Sequence, residues 1–173
     1  LTVLDDVSFD VPCGTCFCIL GRSGTGKSVT VKLMAGLLQP DQGSIVIEGE
    51  DITKLDPTGL ARARKRIGFL FQYSALFDSI SVGENVAFPL RRHTKLSDRE
   101  IRKRVDEKLR RVGLEGIYNQ MPGDISGGMR KRVGLARALA LDPPILLADE
   151  PSSGLDPMTS EEIDELLLDL KRR

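Results

Sequence analysis

Eight residues set the strongest limit on what this chain can fold into. Gly21-Arg22-Ser23-Gly24-Thr25-Gly26-Lys27-Ser28 fits the pattern GxxxxGK[ST]. It stands between an apolar run from Cys16 to Leu20, which reads as a strand, and a helical spacing that begins after Lys27. Strand, glycine loop and helix in that order make an anion cradle. The glycines let the backbone curl until successive N–H groups point inward, and the following helix adds the positive end of its dipole. In such a loop the lysine, here Lys27, reaches the outer phosphates of a nucleotide, and the hydroxyl of Ser28 ligates Mg²⁺.

A second half-site supports the first. Pro143-Pro144-Ile145-Leu146-Leu147-Ala148-Asp149-Glu150 reads as a buried strand that delivers two carboxylates at its C-terminal edge, where open α/β sheets bind their ligands. Asp149 is the residue expected to hold Mg²⁺ through water, because this ion keeps much of its hydration shell. Glu150 is the residue expected to polarise a water that attacks the terminal phosphate.

The rest of the chain alternates strands with helices, which is an α/β pattern. Val7, Phe9 and Val11 alternate with polar neighbours as a half-buried strand does, and Pro12 to Thr15 turns the chain into the Cys16 to Leu20 run. Further strands are expected at Ser44 to Glu48, Ile67 to Phe71 and Ile145 to Asp149, and helices at Ser97 to Val112, Gly128 to Ala140 and after Asp156. Ser97-Asp98-Arg99-Glu100 has the form of a reciprocal capping box, and Asp156-Pro157 is a cap followed by proline at the first helical position.

Composition narrows the function classes. The 173 residues hold 25 Lys plus Arg and 25 Asp plus Glu, and zero net charge disfavours a nucleic-acid binder held by phosphate neutralisation. The longest uncharged runs, Val11 to Gly21 and Ile67 to Phe77, fall well short of the ~20 apolar residues of a spanning helix. Cys13, Cys16 and Cys18 are an odd number within six residues, which points to a reducing compartment rather than a disulfide framework. A closed zinc site needs four ligands, so Cys16 and Cys18, on one face of the expected strand, read as small core residues. From Arg91 to Arg111 ten basic residues face four acidic ones. That is a solvated helical face, or one that sits near anionic headgroups. The chain starts at Leu1 and stops at Arg173 inside a helical pattern, so it reads as a fragment.

With these motifs in view, the sequence resembles the ATP-binding cassette family over essentially its whole length. Ile125-Ser126-Gly127-Gly128-Met129, followed by Arg130, Lys131 and Arg132, is similar to the family signature, which lies about twenty residues before the Asp149-Glu150 strand. The resemblance implies a P-loop NTPase core with an antiparallel β element and a helical signature subdomain. The core would comprise about residues 1–72 and 141–173, and the helical subdomain about residues 73–140. It implies ATP and Mg²⁺ as cofactors, with Gly21, Arg22, Ser23, Gly24, Thr25, Gly26, Lys27, Ser28 and Val29 around the nucleotide. Ser126, Gly127, Gly128 and Asp156 would face the nucleotide of a second cassette in a head-to-tail dimer. Gln72 matches the glutamine that senses Mg²⁺ and the attacking water, so Glu150, Gln72 and Lys27 form the implied catalytic set and Ser28, Gln72 and Asp149 the implied metal set.

Within the family the match resembles the lipid-trafficking branch most, on Val29 after Gly-Lys-Ser, Met129 in the signature and the segment from Ala75 to Leu90. That resemblance implies a peripheral ATPase on the cytoplasmic face of a membrane, docked near residues 73–90 on a permease, with an Mce-domain lipid-binding protein as a further partner. The family's switch histidine would lie beyond Arg173 and its adenine-stacking aromatic before Leu1. His93 reads as a surface residue, so little turnover is expected from residues 1–173 alone. Three rivals remain in view: a cassette protein acting on ribosomes or DNA, an importer ATPase for another solute, and a small-molecule kinase. About fifty residues with one helical stripe and no sustained heptads separate Gln72 from Ser126, which disfavours the DNA-repair members, whose two half-sites are separated by a long coiled coil.

Overall fold

The computed structural model describes residues 2–171. Its elements in chain order are α1 (Lys27–Met34), β1 (Val46–Ile47), β2 (Glu50–Asp51), α2 (Pro57–Arg64), β3 (Ile67–Leu70), α3 (Val82–His93), α4 (Asp98–Arg111), α5 (Gly127–Ala138), β4 (Ile145–Ala148) and α6 (Pro157–Lys171). Single 3-10 turns at Ile52–Lys54 and Pro122–Asp124 join them.

Most of the helices start for the same local reason. The side chains of Asp56, Ser81, Ser97, Ser126 and Asp156 accept from the backbone N–H of Gly59, Glu84, Glu100, Met129 and Thr159. Each satisfies one of the donors that a helix start leaves without an internal partner. At α4 the box is reciprocal, because the Glu100 carboxylate accepts from Ser97 N at 2.8 Å. The start of α1 differs: its cap is Gly26 at φ 93°, with no side-chain acceptor.

β3 and β4 pair in parallel with Ile67 opposite Ile145 and Leu70 opposite Ala148. The crossover between them contains α3, α4 and α5, whose apolar stripes close on one another. Val82, Val86 and Leu90 of α3, Ile101, Val105 and Leu109 of α4, and Val133, Leu135 and Ala136 of α5 are all buried. Each such Val or Leu contributes about 1.5–3 kcal/mol relative to exposure. A smaller apolar cluster of Ile47, Ile52 and Ala63 lies under α2 and the β1–β2 hairpin. The hairpin turns on Glu48 at φ 49° and Gly49 at φ 81°, the two left-handed positions of a tight two-residue loop.

The N-terminal expectation is overturned. Among the described residues neither 7–11 nor 16–20 forms a strand. The turn itself is present, since Thr15 donates to Pro12 O through both its N–H and its hydroxyl. Phe9 and Phe17 stack at 5.2 Å. An extended run becomes a strand only by laddering with a neighbour, and these runs make no ladder, so their side chains stay in solvent. Leu20 is 90% exposed, and Cys13, Cys16 and Cys18 are exposed free thiols, not core residues. The expected strand from Ser44 to Glu48 shortens to two residues. Two helices, α2 and α3, were not foreseen, although Asp56-Pro57 and Ser81-Val82-Gly83-Glu84 carry the same start signals as α6 and α4.

One buried polar side chain organises the approach to α3. Asn85, 0% exposed, donates to Phe77 O, Ile80 O and Ser81 O at 3.0–3.3 Å and accepts from Phe77 N at 2.8 Å. Asn85→Ala removes the side-chain partner of Phe77 N, Phe77 O and Ile80 O, while Ser81 O keeps the Asn85 N–H, so a loss of about 2–3 kcal/mol is expected, read from urea unfolding midpoints.

Candidate functional site

The parallel register builds the centre of the site. Leu70 sits opposite Ala148, and Asp149 N donates to Leu70 O at 2.9 Å, which extends the ladder one step past the strands. Gln72 and Glu150 therefore leave the two strand ends side by side. Gln72 Nε2 donates to Glu150 Oε2 at 2.8 Å and to Ser153 Oγ at 3.3 Å. Glu150 is held at φ 49°, a left-handed conformation that a non-glycine residue keeps only when its surroundings over-determine it. Part of that support comes from the turn that follows, where Ser153 N donates to Glu150 O at 3.1 Å.

The glycine loop closes on the same point. Gly24 and Gly26 take φ 82° and 93°, positions that only glycine fills without strain. The Lys27 ammonium donates to Gly21 O at 2.9 Å and Arg22 O at 3.0 Å and stands 3.7 Å from Glu150 Oε1. Ser28 Oγ donates to Asp149 Oδ1 at 2.6 Å, joining α1 to the end of β4. Asp149 is 5% exposed. A hydroxyl and a buried carboxylate in contact are hard oxygen donors that fit Mg²⁺, an ion that takes few protein ligands and keeps water. Among the described residues no group of three or more His, Cys, Asp or Glu side chains forms a metal cage. Lys27, Ser28, Gln72, Asp149 and Glu150 thus meet, whereas Arg22, Ser23, Thr25 and Val29 take their place only as part of the loop and first helical turn. Thr25 N and Oγ1 both donate to Arg22 O.

Ser126, Gly127, Gly128 and Asp156 stand apart from that cluster. Among the described residues, the Ser126 side chain acts as the cap of α5, accepting from Met129 N at 3.2 Å. The Asp156 carboxylate accepts from the Thr159 hydroxyl at 2.6 Å and from its N–H at 3.1 Å, bonds that lower its pKa below the usual value. His93 is exposed, as the sequence predicts.

One member of the site was missed. Lys131 appeared in the sequence only as part of a basic run, yet it is 5% exposed, donates to Gln72 O, and reaches Glu150 O at 3.3 Å. Burial lowers its pKa, and the carboxylates of Glu150 and Asp149 work against that shift. Its position on the inner face of α5, three residues from Gly128 and Gly134, is the signal that could have found it.

The comparisons with known proteins now bear on this geometry. The family described as "ABC transporter" matches residues 4–153. This chain belongs to that family. It is 52% identical over 168 residues to "Probable ribonucleotide transport ATP-binding protein mkl" of Mycobacterium leprae (strain TN), covering 97% of this chain and 48% of the relative. It is 46% identical over 165 residues to "Intermembrane phospholipid transport system ATP-binding protein MlaF" of Haemophilus influenzae, covering 95% and 62%. Among solved structures it superposes on the ATP-binding cassette MJ0796, a dimer in a post-hydrolysis state bound to ADP and Pi. The TM-score is 0.90 at 38% identity, covering 98% of this chain and 75% of the other. The fold is thus the P-loop NTPase fold of ABC ATPase cassettes. The chain spans about half the length of the curated mkl relative.

Gly128 has a packing role in this chain. A Cβ on Gly128 would lie 2.5 Å from Thr159 Cγ2, at the start of α6. Gly128→Ala is expected to cost about 1–3 kcal/mol. Adding Thr159→Ser, which removes that methyl and keeps the hydroxyl bonded to Asp156, should recover most of the loss in a thermal-unfolding double-mutant cycle.

Proposed function

We propose that this chain is the nucleotide-binding, ATP-hydrolysing part of a membrane transporter, and that it works on a lipid. The observation that carries the ATPase reading is the convergence of the Lys27 ammonium, the Ser28 and Asp149 oxygens and the Gln72-bound Glu150 carboxylate at the end of one parallel strand pair. In this reading the loop from Gly21 to Ser28, with Val29, cradles the phosphates. Lys27 exchanges its loop carbonyls for phosphate oxygens, and Ser28 and Asp149 hold Mg²⁺. When bound, Mg²⁺ would neutralise charge that develops between the outer phosphates. Gln72 aims the Glu150 carboxylate, and Glu150 takes the proton of the attacking water.

The same reading assigns Ser126, Gly127, Gly128 and Asp156 to the nucleotide of a second copy in a head-to-tail dimer. A helix start that plays no part in its own cluster is suited to an anion brought by another subunit. Residues 1–72 with 141–173 act as the core and 73–140 as the helical subdomain. A groove of about 490 Å³ beside β3 is lined by Phe69, Phe71, Phe77, Phe88 and Pro89, and Phe77 and Phe88 meet at 5.0 Å while each stays about half exposed. That apolar opening supports docking of a permease near residues 73–90, which holds the subunit at the cytoplasmic face of the membrane. Among the described residues no helix is long and apolar enough to cross a membrane. The phospholipid assignment rests on likeness to the Haemophilus relative and extends to an Mce-domain lipid-binding partner.

In the full-length protein, Glu150→Gln is expected to lower ATP turnover about 100-fold or more while nucleotide binding, followed by a fluorescent ATP analogue, is retained. Normal turnover in that variant would remove Glu150 as the base. Purification of the tagged full-length protein from detergent-solubilised native membranes, with mass spectrometry of its companions, is expected to yield a permease together with a lipid-binding protein. A permease with a soluble binding protein of another kind would move the substrate class, and ribosomal or DNA-processing companions would overturn the transport role.

A further inference from the structure

Three residues of α5, spaced by three, lie along one face of the helix and meet one loop. Lys131 donates to Gln72 O and to Glu150 O. Arg137 donates to Ser74 O at 2.6 Å and to Ala75 O at 2.7 Å. Between them a Cβ on Gly134 would stand 3.0 Å from Ser74 Cβ and 3.1 Å from Leu70 Cδ1, so the absence of a side chain there lets the helix lie against the loop. The loop needs such support. Ser74 and Ala75 are consecutive non-glycine residues at φ 60° and 46°, conformations that persist only where neighbouring groups fix them. Ser74 is also buried.

From this contact we infer that the Lys131, Gly134 and Arg137 face of α5 is a positioning latch. It holds residues 72–75 so that the Gln72 amide meets the Glu150 carboxylate, and it ties the helix that starts at Ser126 to the catalytic base. The assignment of Glu150 as base comes from the proposed function; the latch itself rests on the contacts of α5. Lys131 touches neither nucleotide nor water in this account. It acts through two backbone carbonyls, one on each side of the Gln72–Glu150 hydrogen bond. A helix is stiff over the few residues from Ser126 to Lys131, a span of about 7–8 Å at 1.5 Å per residue. A small axial shift on engagement of an anion at Ser126 is therefore delivered to both carbonyls together. A displacement of that kind at a catalytic group is costly in rate, on the order of 100-fold per ångström.

The test uses the full-length protein in its native complex with three variants, Lys131→Met, Lys131→Arg and Glu150→Gln. Lys131→Met is expected to lower kcat about tenfold or more with KM for ATP within about twofold of the parent. Lys131→Arg, which keeps a cationic donor, should recover most of that rate. Amide hydrogen exchange should quicken at residues 73–76 in Lys131→Met and not in Lys131→Arg, a readout that needs no turnover. If Lys131→Met does not fold, Lys131→Gln, which keeps a donor but loses the charge, is expected to fall between the parent and the loss. Unchanged kcat with unchanged exchange overturns the latch, as does a KM rise at constant kcat. Failure of Lys131→Arg to recover either readout assigns Lys131 to packing alone and likewise overturns it. Turnover that survives Glu150→Gln would instead remove the base assignment, and the exchange measurement would then still judge the latch.

Discussion

The pairing of β3 with β4 is the constraint on which the site depends. Four residues on each strand, in one parallel register, decide that Gln72 emerges beside Glu150 and that Asp149 stands where Ser28 can donate to it. A slip of one residue would turn each side chain to the other face of the sheet and separate all of these partners. The register is defended from both sides by burial: Leu70 and Leu147 are buried, and Gly68 allows the Ala138 carbonyl and the Pro143 ring to approach where a Cβ would clash at 2.5 and 2.9 Å. The chemistry inherits its precision from apolar packing several residues away.

Cations held at backbone carbonyls complete the arrangement. Lys131 is buried and Arg137 half-buried, and each satisfies carbonyls of the loop after β3. Burial lowers the pKa of both groups. Such groups are expensive to desolvate and therefore persist where several acceptors are fixed together. Lys108 differs: it is buried too, but it pairs directly with the carboxylate of Asp142, ahead of β4. The charge-rich stretch from Arg91 to Arg111 is therefore partly spent within the fold: Arg91 bridges Glu84 and Asp98, and Arg102 lies over the Tyr118 ring at 3.6 Å.

What the sequence reveals of this fold follows the range over which each signal acts. The phosphate loop, the capping box at Ser97 and the Asp156-Pro157 start are local, and the structure contains each of them within a residue or two. The β4 pattern is nearly continuous in apolar residues because that strand is covered, and it too is legible. The N-terminal strands fail for the opposite reason: alternation in 7–11 and 16–20 expresses a preference that only a neighbouring strand can realise. Lys131 fails differently, since within the Arg-Lys-Arg run itself the three cations look alike, and only the spacing from Gly128 and Gly134 hints at which one turns inward. That is decided by α3 and β3 packing on α5, contacts that lie tens of residues away in the chain.

The contrast between the two halves of the motif set has a physical reading. Lys27, Ser28, Gln72, Asp149 and Glu150 already satisfy one another within one chain. Among the described residues Ser126 and Asp156 cap the starts of their own helices, and the two helix starts pack together where Gly128 meets Thr159. A cluster that is internally satisfied can hold its geometry before any ligand arrives, which lowers the ordering cost of binding. Helix starts that are capped by their own side chains are held in shape without that cluster, ready for an anion brought from elsewhere. In the proposed reading, a preformed cradle and a helix start tied to it through Lys131 divide the work between two nucleotide sites. Occupancy at Ser126 would then bear on Glu150 through Lys131, little more than one turn along the same helix.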